Sequence, residues 1–394
     1  MKIAQVCWQF GGHQEGISRA VTELSLRLAE HHDVHVFAHG FSGQESKALR
    51  FRKVPLPSRL GWLWALGFSM SSAMMLRKER FDIVHVHVPC LYQANVVTCH
   101  IFPRIMGRWA RSLGKEARTW MTFRQKLRLA VFALHEPLYR YNFRRRRNRR
   151  VVAVSSKVKQ ELMTEYGFAE PEVTVVPLGV DLKKFTPTNR SCAGGHIRKT
   201  YDIPENVFMF VFVGQNFLGK GLQFVLDVFP ALKRRCHLLV VGSGEGTEGY
   251  IFEQVKRLKL QNRVTFAGSQ ADIAPFYAAG DAYVTFSPYE SFGLSVLEAM
   301  AAGLPVIGSR DVGFLQDLKM DRLSRSAAMV SSPQALREAM EDMAQDREQS
   351  REWGREARCL AERYTWERHS THMDQIYATV AGSESSHHGF LNEG

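Results

Sequence analysis

The stretch AYVTFSPYESFGLSVLEAMAAGLPVIG, residues 282–308, contains a strand, a helix and a second strand in immediate succession. The apolar run over 282–286 predicts a buried strand, 294–302 has the composition of a helix, and 306–308 begins the next strand. Strands that alternate with helices in this way are typical of parallel βαβ units. The stretch therefore predicts an α/β fold.

The same alternation continues through most of the chain. Further strands are predicted at 3–8, 34–38, 83–88, 96–99, 151–154, 173–176, 208–213, 238–241 and 264–267, with helices at 18–30, 222–234 and 249–258 between them. Most of these strands are nearly continuous runs of Val, Ile, Leu and Phe, as expected for parallel strands buried on both faces. The fold class is therefore α/β, with two Rossmann-like, doubly wound domains that face each other across a cleft.

The domain boundary is predicted at the Pro- and Gly-bearing segment that follows residue 176. This divides the chain into an N-terminal domain at 1–178 and a C-terminal domain at 179–364, followed by a helix at 365–381. Residues 382–394 are rich in Ser, His and Gly and are predicted to be a disordered tail.

Composition excludes several classes of protein. The 394 residues are 45% hydrophobic and 23% charged, which excludes wholesale disorder. Six cysteines without a C-x-x-C spacing indicate neither a zinc site nor a disulfide scaffold and favour a reducing, cytoplasmic location. The N-terminus turns polar too early for a secretory signal, and the uncharged run at 60–76 is too short for a membrane span, so it is predicted to be a buried helix.

The positive charge of the chain is concentrated in one segment. Residues 104–150 contain fifteen basic residues and two acidic ones, a net +13 that equals the formal charge of the whole chain. The segment ends in the cluster Arg144, Arg145, Arg146, Arg147, Arg149 and Arg150. Arginines beside Trp, Phe and Leu suit the headgroup layer of an anionic membrane on its cytoplasmic face. A solvated helix face is the alternative, and nucleic acid is disfavoured because no base-reading module accompanies the arginines.

The loop after the strand at 282–286 is the strongest candidate site. Glu290 lies in this loop, and Glu298 lies about a turn and a half into the following helix. One carboxylate can contact one end of a bound ligand, while the other can accept hydrogen bonds from hydroxyl groups further along the same ligand. Backbone amides that begin the helix would point at an anion between them; they belong to Ser291, Phe292, Gly293 and Leu294.

Three other places follow strands and are candidates with an ordinary structural alternative. Gly214 and Gln215 precede Lys220 at a strand–helix junction, which is either a phosphate cradle or a plain turn. Gly12 lies in a glycine loop after the first strand, again a ligand contact or a turn. His100 ends the strand at 96–99, where an imidazole faces the ligand edge of a sheet or serves structure alone.

Taken together, these motifs resemble the GT-B glycosyltransferases of family four, the large retaining group that uses nucleotide-sugar donors, and within it the lipopolysaccharide-core glucosyltransferases. The resemblance runs nearly end to end, and the Glu-x7-Glu spacing is its most specific element. It is carried by the loop at 11–12, DIVHVH at 82–87, His100, SSK at 155–157, VPLGVD at 176–181, FVG…KG at 212–221, Glu290 with Glu298, and TWER at 365–368.

The resemblance implies a role for each matched residue. Lys220 would neutralise the donor diphosphate, Glu290 would contact the transferred sugar, and Glu298 would bind the ribose hydroxyls. His100 would contact the sugar or the acceptor, and the final helix would cross back onto the first domain. The implied enzyme is a metal-independent hexosyltransferase that needs no cofactor. It would move a hexose, with UDP-glucose as the expected donor, to a glycan or lipid-linked acceptor such as lipopolysaccharide core.

Departures from the family pattern leave two alternatives open. Gln215 stands where relatives usually carry a basic residue, position 219 is glycine, and the usual Gly-Gly-x-Pro-Glu is replaced by VGFLQD at 312–317. These differences motivate a catalytically weakened protein that binds a nucleotide sugar or glycolipid without transfer. A nucleotide-sugar epimerase of the same architecture is the other alternative. The absence of a D-x-D motif argues against the metal–diphosphate site of many sugar transferases.

Overall fold

The apolar runs of the sequence become the inner strands of two parallel sheets. The computed structural model describes residues 1–11, 16–42, 47–56, 64–100, 126, 136–143, 149–190, 192–318 and 325–388. The described residues up to Gly179, together with those from Trp366 onward, form one compact unit, and Val180–Thr365 forms a second. These are called the N-terminal unit and the C-terminal unit below.

The N-terminal unit is built on a seven-stranded parallel sheet in the order β5-β3-β1-β6-β7-β8-β9. Two further short strands, β2 and β4, pair with each other. The strands are β1 Lys2–Val6, β2 Gln9–Phe10, β3 Asp33–Ala38, β4 Gly40–Phe41, β5 Leu49–Lys53, β6 Ile83–Val86, β7 Val96–Cys99, β8 Arg150–Ala153 and β9 Val173–Val175. The described helices are Gly16–Leu28, Trp64–Leu76, Glu136–Asn142, Ser156–Tyr166 and Trp366–His388, with a 3-10 turn at Glu170–Glu172.

The C-terminal unit is built on a six-stranded parallel sheet in the order β12-β11-β10-β13-β14-β15. Its strands are β10 Phe208–Gln215, β11 Cys236–Ser243, β12 Val264–Gly268, β13 Ala282–Val284, β14 Val306–Ser309 and β15 Ala327–Val330. Its helices are Ala193–Thr200, Leu222–Val228, Glu248–Arg257, Ala274–Ala279, Leu294–Ala301, Gly313–Asp317, Pro333–Gln345 and Arg347–Ala361, with 3-10 turns at Pro187–Arg190 and Phe229–Ala231. Two Rossmann-like domains with parallel sheets were expected from the alternating pattern, and this prediction is confirmed.

Both sheets reverse their strand order at one point. In the N-terminal unit the reversal lies between β1 and β6, and in the C-terminal unit it lies between β10 and β13. Loops that leave neighbouring strands at such a point run to opposite faces of the sheet and leave a crevice at the carboxyl ends. The candidate residues after β10, β13, β6 and β7 therefore lie at the edges where this fold binds ligands.

Both sheets end in a strand that the apolar pattern does not reveal. The sequence of β5 is LRFRK, in which basic residues alternate with Leu49 and Phe51, and β15 is the alanine-rich AAMV. Edge strands tolerate charge because one side of the strand is not paired within the sheet. The helix predicted at 222–234 ends instead at Val228, because Pro230 in the following 3-10 turn cannot donate the next helical hydrogen bond.

The final helix belongs to the N-terminal unit. Its residues Met373, Tyr377 and Val380 lie in one apolar core with Val21 and Leu24 of the first helix. The unit boundaries at Gly179 and Trp366 differ by one residue from the predicted boundaries at 178 and 365. The helix continues to His388, so the disordered tail predicted from residue 382 is wrong for 382–388, while 389–394 lies outside the described residues. A helix that is already packed extends at a small cost per residue, and no proline interrupts it here.

The uncharged run at 60–76 is only partly buried. Its described part, the helix Trp64–Leu76, packs Phe68 and Leu76 inward but leaves Met70 51% and Met74 61% exposed. The prediction of a buried helix is therefore wrong for one face, because a helix that covers a sheet on one side buries a single stripe. Of the helices in the described part of the chain, none has the length and apolar composition to cross a bilayer.

A buried carboxylate joins three arginines at the amino end of β13. Asp281 is 3% exposed and accepts hydrogen bonds from Arg190 (2.5 Å), Arg198 (2.8 Å) and Arg347 (2.6 Å). It also accepts the amide of Met209 in β10 at 2.9 Å. The three arginines come from separate helical segments, so this one side chain ties the helices around the sheet to its central strands.

Replacing Asp281 by Asn is expected to destabilise the C-terminal unit by about 3–5 kcal/mol, because three guanidinium groups would lose their shared countercharge. The measurement is chemical unfolding of the full chain. The matched control is Glu348→Gln, which removes an acid from an exposed pair with Arg351 and should change stability by no more than about 0.5 kcal/mol. Equal effects of the two substitutions would contradict this role of Asp281.

Candidate functional site

The loop after β10 is a tight turn organised by Asn216. The side-chain oxygen of Asn216 accepts the amide of Gly219 at 3.0 Å, and its carbonyl accepts the amide of Lys220 at 3.0 Å. Asparagine favours such turns because its side chain imitates a backbone acceptor. The turn brings Lys220 back over Gly214, where an added Cβ would lie 2.8 Å from the Lys220 Cγ. The glycine at 214 therefore leaves room for the lysine side chain.

The Lys220 loop is held against the loop that follows β13. The hydroxyls of Thr285 and Ser287 both donate to the Lys220 carbonyl oxygen, at 3.1 and 3.4 Å. Gly221 has a φ of +75°, and a Cβ at this position would lie 2.0 Å from the carbonyl oxygen of Phe286. Only glycine fits both the left-handed conformation and this close backbone approach. The two hydroxyl hydrogen bonds and this close backbone contact therefore hold the two loops against each other.

Lys220 and Glu290 form an ion pair at this junction. The ammonium group of Lys220 contacts the carboxylate oxygen Oε2 of Glu290, and the two side chains are 30% and 17% exposed. The sequence predicts that both residues contact the same ligand, and the structure brings them together across 70 positions of the chain. A charged pair that is half-buried and reachable by solvent can exchange one partner for a ligand of the same charge.

The Glu290 loop is paired in turn with the segment after β14. The amide of Glu290 donates to the Asp311 carbonyl at 3.1 Å, and the amide of Gly313 donates to the Glu290 carbonyl at 3.0 Å. Gly293 has a φ of +105°, and a Cβ there would lie 2.7 Å from a methyl group of Val312. The VGFLQD segment at 312–317, which departs from the family pattern, thus directly supports the loop that carries Glu290.

The helix Leu294–Ala301 begins immediately after this loop. Gly293 is its N-cap residue, and the first amides of a helix have no acceptor within it. Phe292 is buried against Phe314, with ring centroids 5.3 Å apart, and this contact fixes the start of the helix. The amides from Ser291 to Leu294 therefore lie beside the carboxyl end of β13, as the sequence predicts, in a position suited to an anion.

Glu298 points into the unit from this helix. It is 3% exposed, and the hydroxyl of Tyr277 lies 3.0 Å from its Oε2 and 3.2 Å from the Ser295 carbonyl oxygen. Tyr277 was not among the predicted site residues, because its sequence context, APFYAA, is that of an ordinary buried helix. Its hydroxyl orients the Glu298 carboxylate. Glu298 lies about one turn and a half along its helix from the loop that carries Glu290.

Gln215 contacts the neighbouring strand end rather than Lys220. Its side-chain oxygen accepts a hydrogen bond from the hydroxyl of Ser243 at the end of β11. In the next loop, the carboxylate of Glu248 accepts the amides of Gly244 and Gly246, each at 2.8 Å. The strand ends of β10 and β11 therefore present neutral polar groups and one acid beside the Lys220 loop.

His100 lies in the N-terminal unit, at the carboxyl end of β7. It is 6% exposed, and its Nε2 lies 3.1 Å from Nδ1 of His87, which follows β6. Burial, with a smaller contribution from His369, lowers the pKa of His100 to about 3. The imidazole is therefore neutral near pH 7 and can exchange hydrogen bonds with a ligand without carrying charge.

Several predicted site residues lie outside the described part of the chain. They are Gly12 and the arginines at 144–147, with most of the basic segment 104–150. Arg150 begins β8 and is exposed, whereas Arg149 is buried and its Nε donates to the carbonyl of Ala94 at 2.9 Å. The prediction that Arg149 faces a membrane is therefore wrong, because the residue before a buried strand is drawn into the sheet end.

Within the described ranges, no group of three or more His, Cys, Asp or Glu side chains has an arrangement that could hold a metal ion.

Comparison with known proteins shows the same architecture. The family profile described as glycosyl transferases group 1 matches residues 195–359, and the profile described as glycosyltransferase family 4 matches residues 15–184. Among solved structures, WaaG, a glycosyltransferase involved in lipopolysaccharide biosynthesis, aligns with a TM-score of 0.77 and 18% identity over 95% of this chain and 99% of its own. Anabaena Alr3699/HepE in complex with UDP and glucose aligns with a TM-score of 0.71 and 16% identity over 96% of this chain and 99% of its own.

Curated relatives are more similar in sequence. An uncharacterized glycosyltransferase of Methanocaldococcus jannaschii is 24% identical over 340 residues, which cover 81% of this chain and 83% of the relative. A D-inositol 3-phosphate glycosyltransferase of Geodermatophilus obscurus is 30% identical over 239 residues. That alignment covers 55% of this chain and only about half, 52%, of the relative.

The two family profiles between them account for most of the chain, and each falls largely on one of the two units. The two Rossmann-like domains with parallel sheets match the fold of solved GT-B glycosyltransferases. The chain therefore belongs to the group 1, or family 4, glycosyltransferases.

Proposed function

We propose that this glycosyltransferase is a retaining hexosyltransferase whose C-terminal unit binds a nucleoside-diphosphate sugar. The observation that carries the proposal is the convergence of Lys220, Glu290 and the amides from Ser291 to Leu294 at the carboxyl ends of β10 and β13. These groups provide a cation, an acid and a set of backbone donors at the sheet edge where open α/β folds bind ligands. One solved structural neighbour, Anabaena Alr3699/HepE, is in complex with UDP and with UDP-glucose, which supports the choice of ligand class.

Binding would proceed by partner exchange at the Lys220–Glu290 ion pair. A diphosphate placed at the helix amides would take over Lys220, so the lysine charge stays compensated. Glu290 would then be released to accept hydrogen bonds from hydroxyls of the transferred sugar. Glu298, already oriented by the Tyr277 hydroxyl, would accept the ribose hydroxyls.

In the chemical step the bond between the anomeric carbon and the diphosphate oxygen breaks while the acceptor oxygen attacks from the same face. Attack from the same face retains the configuration without a protein nucleophile, and the acceptor proton passes to an oxygen of the leaving diphosphate, so no protein base is needed. Lys220 and the helix amides would stabilise the charge that develops on the leaving group. This route needs no metal ion, since the protein supplies the compensating charge.

The acceptor is proposed to be a glycan or lipid-linked acceptor, such as lipopolysaccharide core, reached at the cytoplasmic face of a membrane. The basic segment 104–150 would attract an anionic surface. The helix Trp64–Leu76 supports a peripheral position, because Leu66, Met70 and Met74 are spaced four residues apart and all exposed. Exposed apolar side chains on one helix face are suited to the interfacial layer of a bilayer.

A binding protein without transferase activity is the second candidate. It is favoured by the neutral Gln215, which is engaged by Ser243, and by Glu290 occupying the one lysine of the loop. Such a protein would bind a nucleotide sugar but would neither transfer nor hydrolyse it. Release of UDP from UDP-glucose above background would exclude it, whereas interconversion of the donor without an acceptor would indicate an epimerase.

The assignment of Glu298 predicts a specific loss of ribose recognition. Glu298→Gln should weaken binding of the preferred nucleotide about 10- to 100-fold, since a hydrogen bond to a charged group contributes more than a neutral one. Wild type should bind a 2′,3′-dideoxy analogue poorly, and the variant should not distinguish the two ligands, as measured by calorimetry. Glu253→Gln, in an exposed pair with Lys256, is the control. Undiminished discrimination by the Glu298 variant would place the ribose elsewhere.

The assignment of Lys220 predicts a loss of rate. Lys220→Met should lower kcat about 10²- to 10³-fold, the range found when one group that stabilises a developing negative charge is removed. The measurement is steady-state release of the nucleoside diphosphate. Lys256→Met removes an exposed lysine that also pairs with a glutamate and should retain wild-type kcat. The proposed role of Lys220 would be contradicted if Lys220→Met, like the control, kept a kcat within about threefold of wild type.

The membrane proposal predicts dependence on charge. Replacing Arg144–Arg147 by Gln should weaken binding to phosphatidylglycerol vesicles at least about tenfold, since each basic residue near an anionic surface contributes about 1 kcal/mol. Sedimentation with phosphatidylcholine vesicles gives the baseline. The control replaces Lys233, Arg234 and Arg235, an exposed basic cluster of the C-terminal unit, by Gln. Unchanged vesicle binding by the Arg144–Arg147 variant would refute the proposal.

A further inference from the structure

A chain of buried polar side chains connects His100 to the C-terminal helix. Nε2 of His100 lies 3.1 Å from Nδ1 of His87, and Nε2 of His87 lies 2.9 Å from Oε1 of Gln5 in β1. Nε2 of Gln5 donates to the hydroxyl oxygen of Tyr377 at 3.0 Å. All four residues are at most 6% exposed. The chain spans 372 positions in sequence and ends on the helix that packs against the first sheet.

The protons of this chain can be assigned because both histidines are neutral. Burial lowers the pKa of His87 well below its usual value and that of His100 to about 3, so each ring carries one N–H. Gln5 donates to Tyr377, so its carbonyl oxygen faces His87 and must accept from Nε2–H. The Nδ1 of His87 then has no proton and accepts from Nε2–H of His100.

A second branch of hydrogen bonds, through His85 to Thr98, determines where the hydroxyl proton of Tyr377 points. The Tyr377 hydroxyl lies 2.6 Å from Nδ1 of His85, and Nε2 of His85 lies 2.7 Å from the Thr98 hydroxyl. Since the Tyr377 oxygen already accepts from Gln5, its proton goes to Nδ1 of His85, which then donates from Nε2 to Thr98. Each hydrogen bond of the two branches therefore joins one donor to one acceptor, and the assigned direction is self-consistent.

This proton assignment determines the state of the second ring nitrogen of His100, Nδ1. Among the described residues, no hydrogen bond reaches Nδ1 of His100, and with the proton on Nε2 this nitrogen carries a lone pair. The imidazole can then only accept a hydrogen bond at that atom. A hydroxyl group is the donor that a sugar or glycan would supply.

We propose that Tyr377, Gln5 and His87 are positioning residues that hold His100 in its Nε2–H tautomer, so that Nδ1 accepts a hydrogen bond from a substrate hydroxyl. The inference rests on the proposed function for the contact between His100 and substrate, whereas the tautomer itself follows from the orientation of the Gln5 amide, whose Nε2 faces Tyr377 and whose Oε1 faces His87. It gives the final helix a second role besides packing, because the Tyr377 hydroxyl oxygen accepts from the Gln5 amide and so holds the amide orientation that determines the hydrogen bonds to His100.

The direct test is the tautomer of His100 in the full chain. Selective 15N-histidine labelling and heteronuclear NMR distinguish a protonated ring nitrogen from an unprotonated one, and the spectrum of His100→Asn identifies the signals. We expect a neutral His100 with its proton on Nε2 at pH 7. A proton on Nδ1, or an equal mixture of the two tautomers, in wild type would overturn the inference.

The second test uses Tyr377→Phe, which removes only the hydroxyl. Gln5 would lose its acceptor and could rotate to donate to His87, so a second His100 tautomer should appear. We expect kcat to fall about three- to tenfold with the KM for the nucleotide sugar unchanged, because the C-terminal unit is not altered. Tyr166→Phe is the matched control, since its hydroxyl donates to Glu136 in the same unit but outside the chain. It should change neither the tautomer nor kcat.

The outcomes separate this inference from the proposed function. If wild type transfers sugar and Tyr377→Phe keeps both the tautomer and kcat, the positioning role is wrong while the proposed function stands. If wild type shows the Nε2–H tautomer but neither transfers nor hydrolyses any nucleotide sugar, the proposed function fails. In that case the Nε2–H tautomer has no catalytic role, and the proposed contact between His100 and a substrate hydroxyl is wrong together with the proposed function.

Discussion

The ion pair between Lys220 and Glu290 is the interaction on which the candidate donor site depends. It joins two loops that leave β10 and β13 on either side of the point where strand order reverses. The hydrogen bonds around the ion pair hold the two loops in the position that brings these charges together. The Lys220 carbonyl is held by two hydroxyls of the β13 loop, and the Glu290 backbone is paired with the segment after β14. Without a ligand the two charges compensate each other, which spares the site the cost of an isolated half-buried charge.

Each unit concentrates its polar chemistry at the carboxyl ends of its central strands, but the two sets differ in character. The C-terminal set is charged and partly exposed, as suits an anionic ligand that must enter and leave. The N-terminal set around His100 is neutral and nearly fully buried. A neutral imidazole that is fixed by hydrogen bonds can align a hydroxyl without holding a charged product. Under the proposed function, the charged set would bind the diphosphate and the neutral set would align a sugar or acceptor hydroxyl.

The fold was largely predictable because parallel strands buried on both faces leave long apolar runs, as in FMFVFVGQ of β10. The edge strands were not predictable from that signal, since LRFRK owes its strand conformation to pairing with β3 rather than to composition. At the candidate site, Glu290, Glu298 and Lys220 could be predicted from their spacing and their position after strands. Tyr277 could not, because its sequence context is that of a buried helix and only the fold brings its hydroxyl to Glu298. Gln5 and Tyr377 could not, because they are partners across 372 positions. His85 and His87 lie in the apolar run at 83–88, whose pattern is that of buried residues, and they are buried, but only the structure shows that they form a chain of hydrogen bonds.

The measurement that tests the central claim most directly is calorimetric titration of the wild-type chain with UDP, GDP and ADP and with their glucose conjugates. The proposed donor site should bind one nucleotide in clear preference to the other two, with its sugar conjugate bound at the same site and competing with it. Failure of all six ligands to bind would contradict a donor site built on Lys220, Glu290 and Glu298.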